Sequence, residues 1–356
     1  MSENKHALKW VAIETTGRCN LNCIHCRCTE SLKEDDSESP SEMTTGQVSG
    51  ILRELSEMSS PVVVLSGGEP LLRDDLFEIA AEGTSLGLRM CIATNGALVD
   101  SAAAQKMKDC DIKMVSLSLD GPSAEIHDDF RRQEGAFDAA VKAAGILKSN
   151  GINFLVNSSF TRRNMEHIGA TKDLAVSLGA TAWYMFMVVP TGRGKDIQAE
   201  LISGEDYDKI LEWHYEMESA KPPILVRPTC APQYFRIVAQ HSGSEDGFER
   251  RSLKFATGRM KGCLCGQSIA LIDRRGNLQP CSYLPLNAGN VLEKSVKEIW
   301  NESSLLKELR DTGSHGECGI CEYRGVCGGC RARAHYIRGS HLEKDPECRY
   351  VPGSAR

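Results

Sequence analysis

Short runs of apolar and β-branched residues alternate, over the first two-thirds of the chain, with longer stretches in which apolar residues recur every three or four positions. The runs at 10–15, 62–66, 89–94, 113–119, 153–158 and 181–189 read as strands. Stretches such as 45–58 (TGQVSGILRELSEM), 75–86 and 137–150 read as amphipathic helices between them. Strand and helix alternating at βαβ length predict an α/β fold with a parallel sheet and helices outside it. Right-handed crossovers wind such units into a barrel or part of one, and a doubly wound open sheet is the alternative that periodicity leaves standing. The pattern fades at Lys221-Pro222-Pro223, which predicts one domain over 1–225 and a smaller one over 226–356. The acidic stretch 33–42 and the segment 241–251 read as solvated loops.

The polar and glycine-rich residues cluster where the predicted strands end: SGGEP at 66–70, ATNG at 93–96, SLDG at 118–121, NSS at 157–159 and PTGRG at 190–194. In parallel α/β folds the C-terminal edge of the sheet is where sites form. One such loop is a turn; five in succession predict a site.

Composition narrows the setting. Hydrophobic residues make up 41% and charged residues 25%, ordinary for a globular chain. The net charge of −6 argues against a nucleic-acid binder. The apolar run at 182–190 is far short of the ~20 residues of a membrane helix, and the first ten residues lack the apolar core of a secretion signal. A cytoplasmic protein without membrane or nucleic-acid partners is expected.

Fifteen cysteines then stand out, because cytoplasmic thiols stay reduced. Cys19, Cys23 and Cys26 lie together, with Cys28 close behind. Cys318, Cys321, Cys327 and Cys330 form a second group followed by Cys348, and Cys263, Cys265 and Cys281 a looser set. Such spacing suits metal or iron–sulfur ligation. Cys91 and Cys110, inside apolar stretches, read as packing residues. Three thiolates in CNLNCIHC are one short of a complete tetrahedral set; a zinc knuckle completed by Cys28 or His25 is the plain alternative.

Cys19, Cys23 and Cys26 resemble the CxxxCxxC signature of the radical SAM superfamily. The resemblance implies a partial (β/α)6 TIM-like barrel and a [4Fe–4S] cluster with an open iron filled by S-adenosylmethionine (SAM). Gly67, Gly68, Glu69 and Pro70 match the family segment that meets the SAM amino group, and a carboxylate with exposed backbone suits an ammonium. Thr94, Asn95 and Gly96, Ser118 with Asp120, and Asn157 match segments lining the ribose and methionine site. Arg131, in HDDFRRQEGAF, is similar to the segment that meets the SAM carboxylate.

The C-terminal cysteines resemble the SPASM extension, which carries auxiliary iron–sulfur clusters. In its two-cluster form, Cys318, Cys321, Cys327 and Cys348 would hold one cluster; Cys281 and Cys330, with Cys263 and Cys265, would hold the other. Two residues separate Cys327 from Cys330 where the usual pattern has three, so one auxiliary cluster drawn from the 318–348 group, with Cys330 among its candidates, is the simpler expectation. A zinc ribbon is the alternative for CGICEYRGVCGGC.

VRPTCAP (226–232), QPCSYLPLNAGN (279–290), CGGCRARA (327–334) and WYMFMVVPTGRG (183–194) are similar to the tetrapyrrole-modifying branch of the superfamily, and nearest to its heme synthases. That branch also holds the didecarboxysiroheme deacetylase and heme d1 maturases. The resemblance implies oxidative decarboxylation of two propionates of iron-coproporphyrin III to vinyl groups, giving heme b, with electrons from a donor such as flavodoxin or ferredoxin. A substrate rich in carboxylates wants arginine forks, and Arg193 and Arg227 are the candidates, a solvated surface arginine being the alternative for each. Trp183 to Phe186 can wall a macrocycle only at alternate positions. Cys230 reads as a cluster ligand, an iron ligand or a site thiol. The rivals are a peptide-modifying SPASM enzyme, an iron–sulfur electron carrier and a zinc-binding interaction module.

Overall fold

The computed structural model describes residues 6–28, 32–33, 42–242 and 262–353. Ten strands form one sheet: β1 (Trp10–Thr16), β2 (Val62–Gly67), β3 (Arg89–Thr94), β4 (Met114–Ser118), β5 (Phe154–Phe160), β6 (Ala182–Met187), β7 (Leu225–Thr229), β8 (Ile269–Ile272), β9 (Asn277–Gln279) and β10 (Gly289–Asn290). Their order is β10–β9–β8–β1–β2–β3–β4–β5–β6–β7, and every neighbouring pair from β8 to β7 is parallel. The edge strands β7 and β10 do not pair with each other, so the sheet is a partial barrel.

Helices α1 (Thr45–Met58), α2 (Leu76–Ser85), α3 (Ser101–Asp109), α4 (Ala124–Arg131), α5 (Ala136–Ser149), α6 (Ile168–Leu178), α7 (Gly204–Ser219) and α8 (Gln233–Ser242) follow the strands. Helix α1 starts at a capping box in which Thr44 and Gln47 bond each other's backbone. It buries Val48, Ile51, Leu52 and Leu55, the spacing of one helical face. Strand alternation sorts the other layer. Trp183 and Met185 of β6 join the core under the helices, whereas Ala182 and Tyr184 join Val62, Val64, Cys91, Met114, Leu155 and Leu225 inside the barrel.

All six expected strands and the three quoted helices are present within two residues at each end. Two further parallel strands are not visible in the pattern. Strand β7 carries Pro228, which is tolerated because β7 is an edge. Strand β8 is four residues long and pairs with β1, far away in sequence. The expected division at 225/226 thus falls at the start of a barrel strand, and the C-terminal segment returns to extend the sheet beyond β1. It also packs on α1: the Val296 amide donates to Glu54, and the buried Trp300 indole donates to the His6 carbonyl at 2.7 Å. The loops expected at 33–42 and 241–251 lie almost wholly outside the described residues. No helix among the described residues is long and apolar enough to cross a membrane.

Candidate functional site

Strand-end loops meet at the C-terminal edge of the barrel, and backbone hydrogen bonds join those after β1, β2, β4 and β6. The loop after β1 carries Cys19, Cys23 and Cys26. The Gly68 amide donates to the Thr16 carbonyl and the Glu69 amide to the Arg18 carbonyl, both at 2.8 Å, so the loop after β2 lies directly on it. The Ile24 amide reaches the Phe130 carbonyl of α4 at 3.1 Å, and the Arg193 amide reaches the Cys26 carbonyl at 2.9 Å. Glycine is required at the closest approach. A Cβ on Gly68 would stand 2.1 Å from the Arg18 carbonyl oxygen, and Gly67 has φ +140°.

Glu69 organises the next loop. Its carboxylate accepts from the Thr94 hydroxyl at 2.8 Å and from the Asn95 and Leu71 amides at 2.9 and 3.2 Å. Burial to 1% exposure lifts its pKa to about 7, against the pull of those donors. Asn95 also donates to Asn20, tying this loop to the cysteine loop. Glu69, Thr94 and Asn95 therefore act as a unit.

Arg131 and Asp120 are drawn from α4 and the loop after β4. They form a 2.6 Å ion pair in which Asp120 is wholly buried; the other Asp120 oxygen accepts from the Ser159 amide. Arg131 Nη1 reaches the Cys23 sulfur at 3.6 Å. His25 packs its ring on Phe130, with Nε2 3.7 Å from Asp120, and burial beside Arg131 keeps it neutral. Asp120 is thus a brace for Arg131 and the β5 backbone, and His25 is engaged by Asp120 and Phe130.

The thiols respond to burial and to one another. Cys19 is pushed up to about 12, chiefly by burial, with Cys23, Glu69 and Cys26 adding to it. Burial likewise raises Cys23 despite Arg131. Cys26 is drawn down by a hydrogen bond from Cys28, aided by Arg193 and Arg27. Cys28, a candidate fourth ligand of the zinc alternative, also lies 3.3 Å from the Gly67 carbonyl as donor. Among the described residues no three His, Cys, Asp or Glu side chains are close enough to share one metal ion, whereas an iron–sulfur cluster takes each thiolate at a different iron. One feature fits a further ligand beside these thiols: Asn157 Oδ1, across the β4–β5 register from Ser118, is buried with no donor among the described residues.

The C-terminal cysteines fall into two groups. Cys318, Cys321, Cys327 and Cys348 line one cleft together with Arg236, Tyr323 and Tyr350. Cys265 and Cys281 are hydrogen-bonded to each other, Cys263 and Cys330 act electrostatically on Cys265, and Cys281, Cys330 and Cys263 act on Cys230. Cys330 therefore belongs with the Cys265–Cys281 pair and not with the 318–348 cleft. The reason is local: its amide is held by Asp345 at 2.7 Å, at the start of the helix Arg331–Arg338.

The two arginines proposed as substrate clamps have other engagements. Arg193 Nε donates to the Cys23 carbonyl at 2.8 Å, which makes it a brace of the cysteine loop. Arg227 pairs with Glu218 at 3.1 Å, so its guanidinium already faces a carboxylate. Tyr184 points into the barrel, and Phe186, two residues on, meets Tyr283 at 6.3 Å between ring centres. Tyr283, within the segment 279–290, is partly buried, and its pKa is raised by burial and then by Cys230 and Cys281 against the pull of Arg27.

Comparison with known proteins agrees with this geometry. The model of the radical SAM superfamily matches residues 13–175, and that of SPASM, an iron–sulfur cluster-binding domain, matches 263–331. The AdoMet-dependent heme synthase of Methanosarcina barkeri is 41% identical over 98% of this chain and 98% of its own length. That of Oleidesulfovibrio alaskensis is 36% identical over 99% and 90%. The Fe-coproporphyrin III synthase of M. barkeri is 30% identical over 94% and 86%. Among solved structures, Streptococcus suis SuiB bound to precursor peptide SuiA matches with TM-score 0.75 at 17% identity, over 97% of this chain and 76% of that one. Native anSMEcpe with bound AdoMet matches with TM-score 0.69 at 20% identity, over 95% and 93%. At such identities the structural likeness bears on the fold alone.

Proposed function

Because this chain belongs to the radical SAM superfamily, in its branch of SPASM-bearing AdoMet-dependent heme synthases, we propose that it converts two propionates of iron-coproporphyrin III to vinyl groups, forming heme b. It is an enzyme whose barrel domain binds SAM and a [4Fe–4S] cluster and whose SPASM domain binds auxiliary iron–sulfur clusters. The observation that carries the substrate is the 41% identity to a heme synthase over nearly the whole of both chains.

SAM and the cluster held by Cys19, Cys23 and Cys26 would together supply a 5′-deoxyadenosyl radical. Removal of one hydrogen atom from the propionate carbon beside the macrocycle, with loss of CO₂ and one electron, leaves a vinyl group. The chain's part is to hold and orient. Cys19, Cys23 and Cys26 hold the cluster. The Gly67–Gly68 backbone and Glu69 receive the SAM ammonium, Arg131 its carboxylate, and Asn157, with Thr94, Asn95 and Ser118, its ribose. Asp120 fixes Arg131 and touches no ligand itself. Tyr184, Phe186 and Tyr283 supply an apolar wall for the macrocycle. The auxiliary thiol groups hold the acceptor of the released electron, and a flavodoxin or ferredoxin supplies the reducing one. None of the fifteen cysteines is in a disulfide, which suits thiolates that hold clusters in a reducing setting.

The test is an anaerobic assay of reconstituted enzyme with SAM, a reductant and iron-coproporphyrin III, read by mass spectrometry. Monovinyl intermediate followed by heme b is expected. Deoxyadenosine without either product would assign the enzyme to another substrate.

A further inference from the structure

Strand β7 leads directly into Cys230, whose backbone is left-handed with φ +57°. That conformation costs a residue with a Cβ on the order of 1 kcal/mol, and glycine would occupy it without strain. Strain of this kind persists only where surrounding groups over-determine it. Here they do. The Cys230 carbonyl accepts from the Tyr207 hydroxyl at 2.8 Å and from Arg333 Nη2 at 2.7 Å, and both side chains are buried to 1% exposure. Arg333 Nε is fixed in turn by Asp345 at 2.9 Å. The second Asp345 oxygen accepts the Cys330 amide and Gln233 Nε2, each at 2.7 Å.

One buried ion pair therefore clamps two cysteines, Cys230 at the end of a barrel strand and Cys330 at the start of a C-terminal helix. A buried pair of this kind is a poor source of net stability but a good source of fixed geometry. The thiols that act on Cys230 are those of Cys330, Cys281 and Cys263, while Cys263 and Cys330 also act on Cys265. A four-iron cluster needs only four of these five thiols. Of the two not otherwise accounted for, Cys263 has its amide tied to the Cys327 carbonyl of the other group, whereas Cys230 is held by the clamp it shares with Cys330.

We propose that Cys230 is an iron ligand of the auxiliary cluster held by Cys265, Cys281 and Cys330, and that Cys263 is the spare thiol. The barrel itself then supplies one ligand to a cluster of the C-terminal domain. The proposal rests on the reading that this thiol group holds a cluster, and it is independent of which substrate the enzyme uses.

The experiment compares reconstituted wild type, Cys230→Gly, Cys263→Ala and Cys281→Ala, without substrate, by iron and sulfide content and by EPR of the reduced protein. Glycine suits the left-handed backbone, so a loss in Cys230→Gly cannot be ascribed to strain. Cys230→Gly is expected to lose about four irons and the signal of one cluster while still cleaving SAM, and Cys263→Ala to keep both. Wild-type iron content with an unchanged spectrum in Cys230→Gly would overturn the proposal. So would the reverse pattern, with the loss in Cys263→Ala alone. A Cys230→Gly protein that keeps its clusters but alters the absorption of added iron-coproporphyrin III would assign the thiol to substrate iron instead, which also overturns it. Full iron in Cys281→Ala would remove the underlying reading, separately from Cys230. If Cys230→Gly does not fold, Cys230→Ser should retain iron with a shifted EPR spectrum, and an unshifted one decides against the ligand role.

Discussion

Asp120 and Arg131 form a 2.6 Å ion pair with the carboxylate wholly buried, and the same guanidinium extends to the Cys23 sulfur at 3.6 Å. The pair thus links the loop after β4 to the loop after β1. Removing one partner of a buried pair strands the other, at a cost of about 3–5 kcal/mol. Asp120→Asn keeps an acceptor for the Ser159 amide but leaves Arg131 uncompensated, so the unfolding free energy from anaerobic urea titration should fall by that order, with a lower midpoint. An unchanged midpoint would show that Arg131 is neutralised by another group.

SAM binding should depend on pH through Glu69. Its folded pKa of about 7 lies above its ordinary value of 4.5, because burial disfavours the charge. Its contribution to stability is therefore fully present below 4.5 and is lost as pH rises through 7. SAM affinity should run the other way, since an ammonium prefers the ionised carboxylate. Titration calorimetry from pH 6 to 8 should show tightening in wild type and a flatter profile in Glu69→Gln. Equal slopes in the two proteins would remove Glu69 from the ammonium site.

Gly68→Ala should be among the most damaging single-atom additions in the chain. The new Cβ meets backbone at 2.1 Å (Arg18 O) and 2.9 Å (Gly17 O), and neither atom can move as a side-chain end can. A loss of about 1–3 kcal/mol and of SAM binding is expected. Gly46→Ala, on α1 with nothing within 4 Å of the added atom, should gain up to about 1 kcal/mol from helix propensity. Thermal melts of the two variants side by side check the contrast.

The cysteine groups should separate two activities. Alanine at Cys19, Cys23 or Cys26 should abolish deoxyadenosine formation. Alanine at Cys318 or Cys348 should leave SAM cleavage in place while product formation falls. Chromatography of both species from one reaction decides, and loss of cleavage in Cys318→Ala would mean that the two sites are not independent.

Much of this was legible in the chain. The parallel strands under the helices were visible because each is an apolar run with its own flanking helix, and CNLNCIHC and GGEP because their chemistry is contiguous. Asn157 and Arg131 were marked by family resemblance, not by local pattern. Local pattern failed where partners are distant. β8 is short, and only its pairing to β1 makes it a strand; Pro228 hid β7, whose edge position is a tertiary fact. Likewise the spacing of Arg193 and Arg227 could not show that a Cys23 carbonyl and Glu218 already hold them.

The sequence by itself determined the composition of the site: which residues are thiols, which loops are glycine, and where along each strand they fall. The tertiary structure decided their grouping. Cys330 stands beside Cys327 in the chain, yet its amide is held by Asp345 and its thiol acts on Cys265, while the Cys230 carbonyl at the end of a barrel strand is held by the same Arg333–Asp345 pair. Ligand sets are defined by distance in space, and burial of a single ion pair, Arg333–Asp345, fixes that distance for residues a hundred positions apart.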